Sequence, residues 1–314
     1  NMQYQNPILS GFHPDPSICR VGKDFYLVTS SFEYFPGIPI FHSRDLVHWE
    51  QIGHVLDRKN QLKLVSGAPN CLGIYAPTIR YHEGIFYCIV TNVGGRSGGN
   101  FFVYTTDPYG RWSNPVKLPF AGIDPSLFFD EDGRIYYTGT DTGIYIAEIT
   151  FDVVRNDTPK RNELPVSIQN VKCGEKHYIW NGSGGNNPEG PHLYRIHDMY
   201  YLMIAEGGTE YCHMVTIARS KNVYGPYEAC PHNPVLSNRS TCLNIKAIGH
   251  ADLVEDSQGS WWAVCLGIRP LGYPFRHNLG RETMLAPVKW ENGWPVMGDN
   301  GTVTETFEVE TAPG

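Results

Sequence analysis

The sequence lacks the marks of several large protein classes. It has no run of lysine and arginine, and 32 acidic residues outnumber 25 basic ones, for a net charge of −7. A nucleic-acid footprint needs a basic patch or stripe, so no nucleic-acid partner is expected. No apolar stretch approaches 18 residues, so no membrane span is expected. None of the eight cysteines forms a Cys-x-x-Cys pair, which removes the commonest zinc and thiol-redox signatures. Several sit inside strand-like runs, such as Phe86-Tyr87-Cys88-Ile89-Val90. They read as reduced, buried thiols, because disulfide frameworks belong to smaller secreted domains. The first residues, Asn1 to Asn6, carry neither a basic region nor an apolar core, so no signal peptide is expected there. These features point to the cytoplasm, with secretion as the alternative if a leader has been removed. Amphipathic helices and linker-like stretches are missing as well, so one domain is expected.

What the chain has in quantity is punctuation. Gly (33) and Pro (23) together exceed their average share near 12%. That favours many short strands. Aromatics, at 13% of the chain, can line a pocket as well as fill a core.

One short phrase recurs. It reads Asp15-Pro16-Ser17-Ile18, Ala76-Pro77-Thr78-Ile79 and Asp124-Pro125-Ser126-Leu127. Looser copies are Gly190-Pro191-His192-Leu193, preceded by Glu189, and His250-Ala251-Asp252-Leu253. The starts lie 61, 48, 66 and 60 residues apart, a spacing typical of repeat architectures. After each phrase come a turn and an aromatic strand. Examples are Glu83-Gly84 before Ile85–Val90 and His197-Asp198 before Met199–Ile204. Such turns between β-prone runs are hairpin signals. A third strand usually follows, as in Ile40–Asp45, Phe101–Asp107 and Val215–Ser220. Each unit therefore reads as three or four antiparallel strands. Five such units predict an all-β, five-bladed β-propeller in a single domain. The stretch 152–188 is less regular, and its end, Asn181–Pro188, reads as a loop.

Equivalent positions of a ring converge on one axis, so Asp15, Asp124 and Glu189 are expected to converge. A lone Asp-Pro is ordinarily a turn. Here two matching phrases carry the acid while Ala76 and His250 replace it elsewhere, so folding a blade does not require it. Converging carboxylates suit acid–base chemistry, and glycoside hydrolysis needs two of them across the scissile bond.

The chain resembles glycoside hydrolase family 43, on the β-xylosidase and α-L-arabinofuranosidase side. The resemblance rests on Gly11–Ile18, Ser31–Gly37, Gly122–Leu127, Glu189–Tyr194, Ala205–Thr209 and Leu279–Thr283. It runs from about Asn6 to Gly301, and the family fold is a five-bladed propeller. It implies single displacement with inversion. Asp15 would be the base that activates water, and Glu189 the acid. Asp124 would orient the acid and keep it protonated, because a nearby negative charge raises a carboxyl pKa. Inversion would separate Asp15 and Glu189 by roughly 6.5–9.5 Å.

The resemblance also implies substrate contacts. Arg281 matches an arginine that reaches sugar hydroxyls, Phe32 and Tyr75 would wall the pocket, and Thr209 would face it. His250 matches a position near the axis that holds a cation, commonly Ca²⁺, through one imidazole and several waters. No organic cofactor is implied. Two departures stand out. Many members place a Trp and an acidic residue around the second-blade Ala-Pro, where this chain has Tyr75-Ala76-Pro77-Thr78. Many also continue into a β-sandwich, whereas this sequence ends at Gly314, so one propeller over 1–314 with a more open pocket is expected.

The expected function is exo-acting release of D-xylose from xylo-oligosaccharides and of L-arabinose from α-L-arabinofuranosides. One alternative is a protein that is mainly an arabinofuranosidase or arabinanase. A retaining fructosidase on a similar propeller would carry Trp-Met-Asn-Asp-Pro and Arg-Asp-Pro, and neither is present. A non-catalytic sugar-binding propeller predicts loss of an acid, yet all three remain. A protein-interaction propeller would show the Gly-His…Trp-Asp repeat, which is missing.

Overall fold

The computed structural model describes residues 1–32, 35–61, 73, 76–92, 99–185, 187–207, 213–238, 243–269 and 281–314. A first strand, β1 (Met2–Gln5), precedes the repeats. Blade one is β2 (Ser17–Val21), β3 (Asp24–Val28), β4 (Gly37–Ser43) and β5 (Glu50–Leu56). Blade two is β6 (Thr78–His82), β7 (Ile85–Asn92), β8 (Gly99–Thr105) and β9 (Val116–Lys117). Blade three is β10 (Ile123–Phe129), β11 (Ile135–Thr140), β12 (Ile144–Arg155) and β13 (Val166–Cys173), with β14 (His177–Tyr178) paired on β12. Blade four is β15 (Glu189–Ile196), β16 (Met199–Glu206), β17 (Met214–Ser220) and β18 (Glu228–Ala229). Blade five is β19 (Lys246–Glu255), β20 (Trp261–Ile268), β21 (Glu282–Glu291) and β22 (Trp294–Met297), and β23 (Thr306–Val309) follows. Each blade is an antiparallel meander in chain order. The first strands touch in sequence around an axis, β2 on β6, β6 on β10, β10 on β15, β15 on β19 and β19 on β2. The protein is a single-domain, five-bladed β-propeller, as the repeat count predicts.

Local chemistry explains the meanders. In the β6–β7 turn, Glu83 and Gly84 have φ of 48° and 84°; in the β15–β16 turn, His197 and Asp198 have 51° and 60°. Positive φ at both central residues gives a two-residue turn whose twist matches the flanking strands. Sheets then stack face to face, so middle strands are covered on both sides; β7 is buried along all eight residues. The apolar clusters lie between blades, not within them. One joins Val28 and Ile40 to Ile79 and Cys88, and the next joins Tyr87 and Phe102 to Tyr137 and Ala147. A blade alone would leave both faces exposed. Five described cysteines (19, 88, 173, 230 and 265) are free thiols. The irregular stretch 152–188 holds more strand than the sequence pattern shows. β12 runs twelve residues, and its outer half pairs with β13 while leaving Val153 and Val154 exposed. With no face to bury there, the pattern does not alternate as a half-buried strand should.

Under the mouth of the ring, polar groups join all five blades. The Arg80 guanidinium grips Asp252 with two bonds, Nη1 to Oδ2 at 2.8 Å and Nη2 to Oδ1 at 2.9 Å. Ser17 Oγ donates to Asp252 Oδ2 at 2.6 Å and accepts from Ile79 N at 3.0 Å. Tyr194 OH donates to Asp252 Oδ1. His192 Nδ1 accepts from Arg80 Nη2 at 3.2 Å and lies 3.1 Å from Ser126 Oγ. The Asp252 side chain has no exposed surface. The ring is closed by the chain ends. β1 pairs with β23. Asn6 donates from Nδ2 to Leu285 O at 2.9 Å and Thr304 O at 3.0 Å, and its Oδ1 accepts from Leu285 N at 2.8 Å. Leu9 bridges Thr283, and His13 N donates to Arg281 O at 2.8 Å.

Breaking one partner of a buried ion pair strands the other charge, at a cost of roughly 3–5 kcal/mol. Asp252→Ala is therefore expected to lower the urea midpoint by that equivalent; an unchanged midpoint would show that the axial pair does not hold the ring. The same groups set a pH dependence. Burial pushes the Asp252 carboxyl up, but Arg80, His192 and the Arg80 and Ser17 hydrogen bonds hold it well below its ordinary range. Its contribution is present above about pH 4 and lost as pH falls. Burial, with Arg80 and His250, lowers His192 to about 3 against the pull of Asp252. Below about pH 6.5 the unfolded imidazole takes a proton that the folded one refuses, so stability falls again. The urea midpoint is expected to drop between pH 7 and pH 4, and to drop less in His192→Gln.

Candidate active site

The recurring phrase opens the inner strand of four blades with the same backbone feature. Asp15, Asp124, Gly190 and His250 all adopt left-handed conformations, with φ of 54°, 53°, 60° and 49°. Three of these strands break register there, between Ile123 and Ser126, Glu189 and His192, and Gly249 and Asp252. Such breaks re-aim side chains near sites. Asp and His enter the left-handed region more readily than most residues. The fourth copy needs glycine for a further reason. A Cβ on Gly190 would lie 2.9 Å from His250 Cε1 and 3.0 Å from Nδ1. The imidazole occupies that space, and the fourth blade carries its acid one residue earlier, at Glu189.

The structure thus brings Asp15, Asp124, Glu189 and His250 together. His250 Nδ1 lies 3.8 Å from Asp15 Oδ1. Ser30 Oγ donates to Asp15 Oδ2 at 3.0 Å, and Gly190 N donates to Asp124 Oδ2 at 3.1 Å. Burial first, then the charges of Glu189 and Asp15, raises Asp124 to about 7 against the pull of His250 and the Gly190 bond. Glu189 is also raised, by burial and then by Asp15, while His250 and Arg281 oppose. Burial, more than a neighbouring charge, favours the protonated form of these two carboxyls. Burial disfavours a charged His250, yet Asp15, Asp124, Glu189 and Asp252 outweigh it and raise that imidazole.

Arg281 stands at the start of β21, its backbone fixed by the His13 amide, and its charge reaches Glu189. The contact that closes the ring therefore also delivers this arginine to the acids. Phe32 packs against Phe12 with ring centroids 5.8 Å apart, and Phe12 is 44% exposed, so this aromatic pair reaches the surface. Tyr75 and Thr209 lie outside the described residues. Among the described residues, no group of three or more His, Cys, Asp or Glu stands as a metal-ligand set. His250 offers one imidazole nitrogen, whereas Ca²⁺ takes six to eight oxygens; this donor set fits only an ion held mostly by water.

Sequence reading missed two residues. Glu206, fully buried, gathers the loop that leads to Glu189. Its Oε1 accepts from Gly185 N at 2.9 Å, and its Oε2 from Ser183 N and Ser183 Oγ, both at 3.1 Å. Thr216 Oγ1 also donates to it. A Cβ on Gly182 would meet Glu206 Oε1 at 2.5 Å, so this glycine permits the close approach. The signal was present: an acid at the end of the apolar run Tyr201–Ala205 faces a glycine-rich loop. His213 is the second. It is buried with its ring against Gly249, and burial, then His250, lowers it to about 4. Nothing in its spacing marked it.

Comparisons with known proteins agree with one another. The family described as Glycosyl hydrolases family 43 matches residues 4–295. A Bacteroides ovatus relative named non-reducing end alpha-L-arabinofuranosidase is 49% identical over 99% of this chain and 56% of its own length. A Butyrivibrio fibrisolvens relative named xylosidase/arabinosidase is 48% identical over 97% of this chain and 58% of its own. The solved structure of the Bacteroides ovatus xyloglucan PUL GH43B superposes with a TM-score of 0.86 at 46% identity, covering 100% of this chain and 60% of that one. The chain thus spans somewhat more than half the length of these relatives.

Glu206→Ala would leave several loop donors without their charged acceptor. It is expected to cost at least about 2 kcal/mol and to open the 181–188 segment to limited proteolysis. Equal protection in variant and parent would show that the loop is held by other means.

Proposed function

The chain belongs to family 43 of the glycosyl hydrolases, and from that premise we propose that it is an exo-acting glycosidase. It removes D-xylose from the non-reducing ends of xylo-oligosaccharides, and L-arabinose from α-L-arabinofuranosides. The observation that carries this reading is the convergence of Asp15, Asp124 and Glu189 around one buried imidazole, with two of the three acids pushed toward their protonated forms. The names of the two relatives, one an arabinofuranosidase and one a xylosidase/arabinosidase, support the pair of sugars.

In this proposal Asp15 takes a proton from water, and the water oxygen attacks the anomeric carbon. Glu189, whose protonated form burial favours, gives its proton to the departing glycosidic oxygen. Asp124 and the Gly190 amide fix the backbone beside that acid. Arg281 holds sugar hydroxyls, and Phe32 shapes the pocket. The product inverts, which requires a water-sized gap of roughly 6.5–9.5 Å between Asp15 and Glu189. A calcium ion would be held by His250, otherwise through water, and would supply positive charge beside the acids.

The test is hydrolysis of xylobiose, 4-nitrophenyl β-D-xylopyranoside and 4-nitrophenyl α-L-arabinofuranoside. Glu189→Ala and Asp15→Ala are expected to lower kcat on xylobiose by about 10²–10⁴-fold. NMR of the first product should show the inverted anomer. The rates on the two nitrophenyl sugars rank the activities; release from neither by folded protein would refute the proposal. Chelation is expected to lower both kcat and Tm. If both stay unchanged, the calcium part fails alone.

A further inference from the structure

His250 stands among the acids, yet the strand that carries it is poorly tied to its neighbour. Strand β19 breaks register with β20 twice in succession, between Lys246 and Gly249 and again between Gly249 and Asp252. Ala247 and His250 both take left-handed φ, 54° and 49°. Each break disrupts the ladder and bends the strand. Among the described pairs, Gly249 alone keeps a partner between the two breaks, Leu266 of β20. Gly249 has no side chain to pack, so the ladder fixes little of where His250 points.

The imidazole of His213 meets that weak point. His213 directly precedes β17, whose start is tied on both sides. Met214 pairs with Glu206, Val215 N donates to Leu236 O at 2.8 Å, and Val235 N donates to Val215 O at 2.9 Å. A Cβ on Gly249 would lie 2.5 Å from His213 Cγ, Cδ2 and Cε1 alike. Equal distances to three ring atoms mean that the ring turns its face to Gly249. The Gly249 backbone is not left-handed, so the ring, not the chain conformation, excludes a side chain there. His250 repeats the arrangement, with its Cε1 2.9 Å from where a Gly190 Cβ would stand. Two imidazoles are thus seated in series, His213 on the glycine before His250, and His250 on the glycine after Glu189.

Among the described residues, neither nitrogen of His213 completes a hydrogen bond, although the Ala247 backbone favours its proton. The residue is 1% exposed, so it does not touch a sugar. The charges of His250, Asp15 and Arg281 reach it, which puts it behind the acid cluster. Its ring acts there by shape. We infer that His213 is a positioning residue, whose ring clamps the Gly249 backbone and so holds the His250 imidazole among Asp15, Asp124 and Glu189. Its value for turnover rests on the proposed function; the clamp itself does not.

The experiment uses His213→Ala, His213→Phe, Gly249→Ala and the double variant His213→Ala/Gly249→Ala. Each is read twice. One readout is the His250 Cε1–H NMR signal, assigned by its loss in His250→Gln. The other is kcat and KM on whichever 4-nitrophenyl glycoside, β-D-xylopyranoside or α-L-arabinofuranoside, the parent cleaves. His213→Ala and Gly249→Ala should each move the His250 signal. Each should lower kcat about 10- to 100-fold, as when a group of the site is displaced by about 1 Å. KM should hold, because a group that does not contact substrate leaves ground-state binding alone. His213→Phe restores a flat ring and should recover most of the loss. In the double variant the vacated space accepts the new methyl, so kcat should be no lower than in the worse single variant. Gly249→Ala and His213→Phe keep the test decisive if His213→Ala does not fold. Losses that multiply in the double variant would show two independent sites and overturn the clamp. So would a His250 signal unmoved in the single variants. A raised KM at unchanged kcat would place His213 with the sugar pocket and overturn it too. A parent that cleaves neither sugar, with the His250 signal moving as expected, would refute the hydrolase reading and leave the clamp standing.

Discussion

The fold depends on a charge pair whose acid water does not reach. Asp252 has no exposed side-chain surface and is held by Arg80 through two bonds, with Ser17 and Tyr194 completing its shell. Such a pair is not in itself a large source of stability, because the cost of removing two charges from water offsets most of their attraction. What it provides is registry. Arg80 comes from blade two, Asp252 from blade five, Ser17 from blade one and Tyr194 from blade four, while Ser126 of blade three joins through His192. Apolar contact between blades tolerates sliding; directional hydrogen bonds among five strands do not. The strands that carry this lattice also carry the acids, a few residues earlier in each phrase.

The arrangement of the acids follows from a second constraint, the volume of one imidazole. His250 sits where a Gly190 side chain would project, and it faces carboxylates from blades one, three and four. The ring is therefore not evenly decorated. Two acids use the left-handed position of the phrase; the third steps back by one residue. The inequality matters chemically, since it gives the carboxylates different surroundings. Acid and base roles need environments that push pKa values apart.

Much of this was legible in the sequence. The phrase, its spacing and the turns gave five antiparallel units because each blade repeats one local solution, and local solutions leave local patterns. The three acids stood out because the repeat provided its own control, in Ala76 and His250. Less legible was what depends on contacts between distant residues. Glu206 anchors a loop some twenty residues earlier through backbone amides, and amides carry no sequence signature. The cause of the raised carboxyl values was also read only in part. Charge proximity follows from convergence of the phrases, but burial, the larger influence, depends on how tightly the ring closes.

The closure of the ring has a consequence in time. Asp15 leaves the ribosome well before Arg281, and the His13–Arg281 backbone contact joins their neighbourhoods from opposite ends of the five-blade series. Until β21 is made, the two open edges have nothing to pair with, and the apolar faces of blades one and four stay uncovered. Contacts of such long sequence separation form late and slowly. A nascent or truncated chain would hold all three acids yet lack the enclosure that raises two of them. Completion of the last blade and the enclosure that raises two of the acids are thus one event.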